Sequence, residues 1–188
     1  LKTVNVTAND DADLGGIGTD TITKFDASGS TGGVTVSLAA SAQAKDVEIT
    51  GGKGDDDINI GTALDGNDVD VVDLGDGEDT LEITGDAQES EYDVSNVETL
   101  AINTDGGGAS NTVNAGAFSD ITTFSIDSDN DGDDTTLNGL LDGSSVSITD
   151  GAVDDADVIA TVDLNGKNTV GSDDTINVTL NSADDDGT

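Results

Sequence analysis

The chain has 188 residues and a formal net charge of −36, from 5 Lys, no Arg, 35 Asp and 6 Glu. A surface that negative repels nucleic-acid phosphates and anionic membranes, so neither is an expected partner. Cys and His are absent, which excludes disulfides, thiolate zinc sites, Ser-His-Asp triads and HExxH zinc motifs.

The elements are read in chain order. Short alternating runs occur at residues 3–7 (TVNVT), 21–25 (TITKF), 34–38 (VTVSL), 47–50 (VEIT) and 58–60 (INI). They continue at 71–74 (VVDL), 81–84 (LEIT), 100–103 (LAIN), 124–127 (FSID), 146–149 (VSIT), 158–164 and 176–180 (INVTL). Each is rich in Val, Ile and Thr and is bounded by Gly, Asp, Asn or Ser, the pattern of short strands joined by turns. One alanine-bearing stretch, 38–45, could form a helical turn. No apolar run approaches the roughly 18 residues of a membrane span. Met is absent and Leu stands at position 1, so the chain is expected to be a piece of a longer one.

The strands carry a weak repeat. Its copies are VEIT, LEIT, LAIN, FSID and VSIT, and the last four start at intervals of 19, 24 and 22 residues, the length of one coil of a parallel β-helix or β-roll. The expected fold is therefore all-β, a parallel solenoid with calcium-binding turns; an antiparallel β-sandwich is the alternative. Only four aromatics are present, and a core of stacked Val, Ile and Leu does not need more. The segment 104–110 (TDGGGAS) is the most disrupted and divides the chain into portions 1–104 and 105–188, expected to be continuous with each other.

Acidity could reflect disorder, salt adaptation or metal binding. Leu, Ile, Val and Phe make up 44 of 188 residues, just above the roughly 20 % at which a highly charged chain stays unfolded. Asp greatly outnumbers Glu, and its short arm suits turns and loops that wrap a hard cation. The nonapeptide G-G-x-G-x-D-x-U-x, with U a large apolar residue, occurs at 51–59 (GGKGDDDIN) and 15–23 (GGIGTDTIT). A third copy at 74–82 (LGDGEDTLE) departs only at its first glycine. Glycines allow tight turns whose carbonyls can face a cation, the sixth residue adds a carboxylate, and the eighth starts a strand in the core. The expected metal-site residues are thus Gly52, Gly54 and Asp56, Gly75, Gly77 and Asp79, and Gly16, Gly18 and Asp20. Ile22, Ile58 and Leu81 are the expected core anchors. The copies at 51 and 74 lie 23 residues apart and could stack in adjacent coils around one ion.

Residues 127–134 (DSDNDGDD) open like an EF-hand loop, with Asp127, Asp129, Asp131 and Gly132 in place. The twelfth position is Asn138 rather than a bidentate Glu, and no amphipathic helices flank it. It is read as a calcium loop between strands, with Asp127, Asp129, Asp131 and Asp133 converging on one ion. Acidic turns at 9–13, 150–157 and 172–174 are read as solvated. Carboxylate pairs abound, but none stands out as a catalytic pair, so no enzymatic activity is expected.

At its nonapeptides the chain resembles the RTX proteins, secreted calcium-binding repeat proteins. Residues 23–28 (TKFDAS) and 94–103 (VSNVETLAIN) are similar to strand segments of bacterial RTX-type S-layer proteins. The resemblance implies a secreted, extracellular structural protein that several calcium ions fold and assemble into a surface lattice by self-association. The nonapeptides are few and not tandem, unlike a long uninterrupted β-roll. An RTX-type adhesin module that holds cell-surface polysaccharide through calcium is the alternative expectation.

Overall fold

The computed structural model describes residues 2–17, 22–38, 47–61, 70–84, 92–103, 111–118, 120–128, 134–150, 159–163 and 175–182. Strands are numbered in chain order. The even-numbered ones form a single eight-stranded sheet: β2 (Ala12–Gly16), β4 (Val34–Ser37), β6 (Asp57–Gly61), β8 (Thr80–Thr84), β10 (Thr99–Asn103), β12 (Thr123–Ser128), β14 (Ser145–Asp150) and β16 (Asn177–Ser182). The odd-numbered ones form two smaller sheets. One contains β1 (Thr3–Asn5), β3 (Lys24–Asp26), β5 (Glu48–Thr50), β7 (Asp70–Asp73) and β9 (Tyr92–Ser95); the other contains β11 (Asn111–Asn114), β13 (Asp134–Asn138) and β15 (Ile159–Asp163). A single 3-10 turn spans Ala115–Ala117.

Every strand pairing among the described residues is parallel, and every paired strand lies two positions from its partner in chain order, β9 and β11 being the odd neighbours that do not pair. The chain is therefore a parallel β-solenoid. Each coil lays one strand on the odd wall and one on the even wall, and the antiparallel sandwich is excluded. Parallel sheets covered on both faces read as continuous apolar runs. Here only the inner face is covered, which is why the strands alternate.

Alternation places one residue of each type in a column along the solenoid. On the even wall Val36, Ile58, Leu81, Leu100, Phe124 and Val146 are in register, and Ile83, Ile102, Ile126 and Ile148 form the column beside them. All are buried. Phe25, Ile49 and Val72 face them from the odd wall. The outer face of the even wall carries columns of Thr, Ser and Asn, such as Thr80, Thr99, Thr123 and Ser145.

Three sequence expectations need correction or placement. VEIT lies in β5, on the opposite wall from LEIT, LAIN, FSID and VSIT. Both strands of a coil share one alternation, so composition does not tell the walls apart. The odd wall changes sheet between β9 and β11, while the even wall runs on through β10 and β12 without a break. The segments 39–45 and 104–110 lie outside the described residues.

Leu100 sits in the middle of the aliphatic column with neighbours above and below. Leu100→Ala is expected to lower unfolding free energy by about 2–5 kcal/mol. Ser125→Ala, on the outer face of the next strand, is expected to change it by less than about 0.5 kcal/mol. Urea denaturation followed by circular dichroism measures both.

Candidate cation site at the stacked glycine–aspartate turns

Coils enter the even wall through a tight corner. The corners at 51–56 and 74–79 belong to adjacent coils and lie directly on one another. A Cβ placed on Gly75 would collide with the Gly52 carbonyl oxygen, and one on Gly77 would lie 2.7 Å from the Gly54 carbonyl oxygen. Gly75 and Gly77 also have φ of +94° and +147°, where a side chain is strained. The same Cβ on Gly77 would lie 2.7 Å from Asp79 Oδ1. The missing side chains therefore let the coils stack and leave room for a carboxylate behind the glycines.

Asp56 and Asp79 occupy that room, each only 1 % exposed. Both stand two residues before the first core residue of their strands, Ile58 and Leu81. Asp56 Oδ1 accepts the Val34 N–H at 2.7 Å and its Oδ2 accepts the Gly52 N–H at 2.7 Å. Asp79 Oδ1 accepts the Asp56 N–H at 2.7 Å, and the Asp79 N–H is donated to Glu98 Oε2 at 2.8 Å. Val34, Asp56, Asp79 and Glu98 hold the same position in successive coils. Each carboxylate thus accepts the amide of its counterpart one coil earlier, and the chain of bonds runs along the solenoid axis.

The ladder is incomplete at one atom. Asp79 Oδ2 is buried with no hydrogen-bond partner. Burial pushes the Asp79 carboxyl up to about 6; the Asp56 N–H lowers it, while the carboxylates of Asp56, Glu98 and Asp55 raise it further. Asp56 is also raised, first by burial and then by Asp55, against the lowering effect of the Gly52 and Val34 amides. Two near-neighbour carboxylates thus share a dry corner with one oxygen unsatisfied, an arrangement that disfavours ionisation.

The structure brings Gly52, Gly54, Asp56, Gly75, Gly77 and Asp79 to this corner, as their spacing suggests. Among the described residues no group of three or more Asp or Glu side chains converges as a ready-made metal cage. Both oxygens of Asp56 are occupied by amides. Gly16 is not in a comparable turn: it ends β2, where Gly15 at φ +59° accompanies a register shift between Asp13 and Gly16. Gly18 and Asp20 lie outside the described residues. Ile22, Ile58 and Leu81 are buried. Asp127 is exposed on β12, in register with Asn103 and Thr149. Asp129, Asp131 and Asp133 lie outside the described residues.

Motif reading missed Glu98 and Asp70. Asp70 is 2 % exposed and its Oδ1 accepts the Val47 N–H at 3.0 Å, which repeats the same device on the odd wall. The signal was present: Asp56, Asp70, Asp79 and Glu98 all stand two residues before a buried aliphatic residue. The nonapeptide pattern covers only two of the four.

No protein-family model, curated protein or solved structure matches the chain.

Two outcomes follow from the corner itself. The Asp79 pKa is raised on folding from 3.8 to about 6. Its neutral form therefore fits the fold: the stability this group contributes is fully present below pH 3.8 and is lost as pH rises through about 6. In chelator, wild-type stability is expected to fall more steeply than that of Asp79→Asn between pH 4 and 7, as read by urea denaturation. Gly77→Ala is expected to destabilise by about 1–3 kcal/mol through the contact with Asp79 Oδ1 and the Gly54 carbonyl, as read by thermal melting at fixed pH.

Proposed function

We propose that this chain is a structural, calcium-binding β-solenoid of a secreted bacterial cell-surface protein of the RTX-type S-layer class. In this reading calcium at the glycine–aspartate corner stabilises the coils and permits self-association. The observation that carries the proposal is Asp79 Oδ2, a buried carboxylate oxygen with no donor. A hard cation is the partner that such an oxygen calls for, and it would remove the penalty for ionising the corner. Asp79 would be the principal ligand, with Asp56 beside it and the carbonyls of the corner glycines as neutral oxygens.

Magnitudes support the reading. Extracellular calcium sites have dissociation constants of about 10⁻⁴–10⁻³ M. Calcium at roughly ten times that constant stabilises by about 1.4 kcal/mol per site. That is a sizeable share of a domain's stability of about 5–15 kcal/mol. A net charge of −36 opposes both compaction and association, and bound divalent cations lower both barriers.

The test is a calcium titration of the chelator-treated protein near pH 7, followed by far-UV circular dichroism and melting, with magnesium and sodium chloride as controls. Calcium is expected to raise the melting temperature in the millimolar range, magnesium much less, and Asp79→Asn is expected to lose most of the calcium response. Stability already maximal in chelator, or restored equally by sodium chloride, would overturn the proposal and leave the aspartates as salt adaptation.

A further inference from the structure

The two glycine–aspartate corners are not equivalent. In the first, both oxygens of Asp56 accept amides, Oδ1 from Val34 and Oδ2 from Gly52. Oδ2 fits there because Gly51 has no side chain: a Cβ at that position would lie 2.5 Å from it. Thr50 and Asp73 are in register, so Leu74 holds the place of Gly51 in the next coil. Leu74 is fully buried and carries the Cβ that position 51 lacks. Asp79 keeps the axial bond, its Oδ1 accepting the Asp56 N–H, but its Oδ2 has no partner. The amide of Gly75, the equivalent of Gly52, does not donate to it, and Gly75 has φ +94°. The departure of the third nonapeptide from its pattern thus falls in the corner with the orphaned carboxylate oxygen.

Beyond Asp79 the column continues with Glu98. Its Oε2 accepts the Asp79 N–H at 2.8 Å, and the residue is half-buried. That bond anchors one oxygen beside Asp79, and the longer glutamate arm lets the other turn toward an ion. The acids that act on Asp79 are Asp56, Glu98 and Asp55. Asp56 already accepts an amide at each oxygen. Asp55 is exposed, and its Oδ1 accepts the Glu78 N–H at 3.0 Å. Lys53, the base on these corners, is exposed and makes no ion pair among the described residues.

We propose that the cation of this corner lies on the Glu98 side of Asp79, held by both carboxylates, while Asp56 stays outside its coordination as a structural acceptor. The inference rests on the calcium reading above and names the second residue that holds the ion. It moves the ion from between the copies at 51 and 74 to between 74 and Glu98, a residue that the nonapeptide pattern does not include. Two carboxylates leave the remaining positions to carbonyl oxygens and water. That low ligand charge suits a calcium site of the weak, extracellular kind, and it agrees with the absence of a three-acid cage among the described residues.

The experiment is a calcium chloride titration of the chelator-treated chain near pH 7, read as melting temperature against calcium concentration, in wild type, Glu98→Gln and Asp55→Asn. Both replacements keep an oxygen for the amide that the native residue accepts, and both remove one charge near Asp79. Glu98→Gln is expected to raise the half-saturating calcium concentration at least about tenfold. In chelator its melting temperature is expected to equal or exceed that of wild type, because a repulsive neighbour is gone. Asp55→Asn is expected to shift half-saturation less than about threefold. A merely structural Glu98 would lower the melting temperature in chelator and leave half-saturation where it is, and that result would overturn the inference. Equal shifts in the two variants would overturn it too, since charge without ligation would then suffice. In both of those cases calcium still binds, and the reading of Asp79 as a ligand stands. A wild type with no calcium response overturns that reading and this inference with it.

Discussion

Parallel stacking at one strand spacing, about 4.8 Å, governs this molecule. Two main chains so close leave no space for side chains at the corner where one coil passes over the next. Gly52 under Gly75 and Gly54 under Gly77 meet that constraint. The corner also leaves amides that belong to neither sheet. Asp56, Asp79 and Glu98 accept them, each reaching one coil back. The glycines and the acids are therefore one device. At residues 51–56 and 74–79 a side chain on Gly77 would crowd Asp79 Oδ1, and without the carboxylates the corner amides are buried without acceptors, at about 1–3 kcal/mol each.

The device has a defect that follows from its own repetition. An acceptor in every coil places carboxylates in a column, and neighbours in that column repel. Asp79 feels Asp56 on one side and Glu98 on the other, and its second oxygen has no donor. Hydroxyl groups avoid this conflict. Further along the even wall the same position is held by Thr122 and Ser144, and the strands stack there with equal regularity. Carboxylates are thus not required for stacking as such. Their use in coils that also carry the glycine corner is what favours a cation as the missing partner.

Much of the fold was legible because solenoid geometry acts locally. Alternating Val, Ile and Thr marked the strands, and intervals near 22 residues marked the coils. LEIT, LAIN, FSID and VSIT are consecutive neighbours in one sheet. Less visible were features that depend on which wall a strand joins. VEIT reads like LEIT yet belongs to the other wall, because both walls face the same aliphatic interior. Gly15 and Gly16 match the nonapeptide yet end a strand, β2, at a register shift against β4. Glu98 escaped the motif because none of the pattern's glycines precedes it, and Asp70 because only Gly66 does, although their offset from the core residue is the same.

Each coil in such a structure contacts only its neighbours, so local terms add along the axis. The two halves differ in those terms. In the first, the corner column of the even wall holds Asp56, Asp79 and Glu98, and its stability is tied to ionisation. In the second, Thr122 and Ser144 hold that column, and proton uptake at the column has no counterpart. The even wall runs unbroken through both, so β10 and β12 join the carboxylate part of the column to the hydroxyl part. The odd wall changes sheet at the same place, between β9 and β11. A nearest-neighbour stack whose chemistry and wall continuity both change at one junction can lose structure on one side while keeping it on the other.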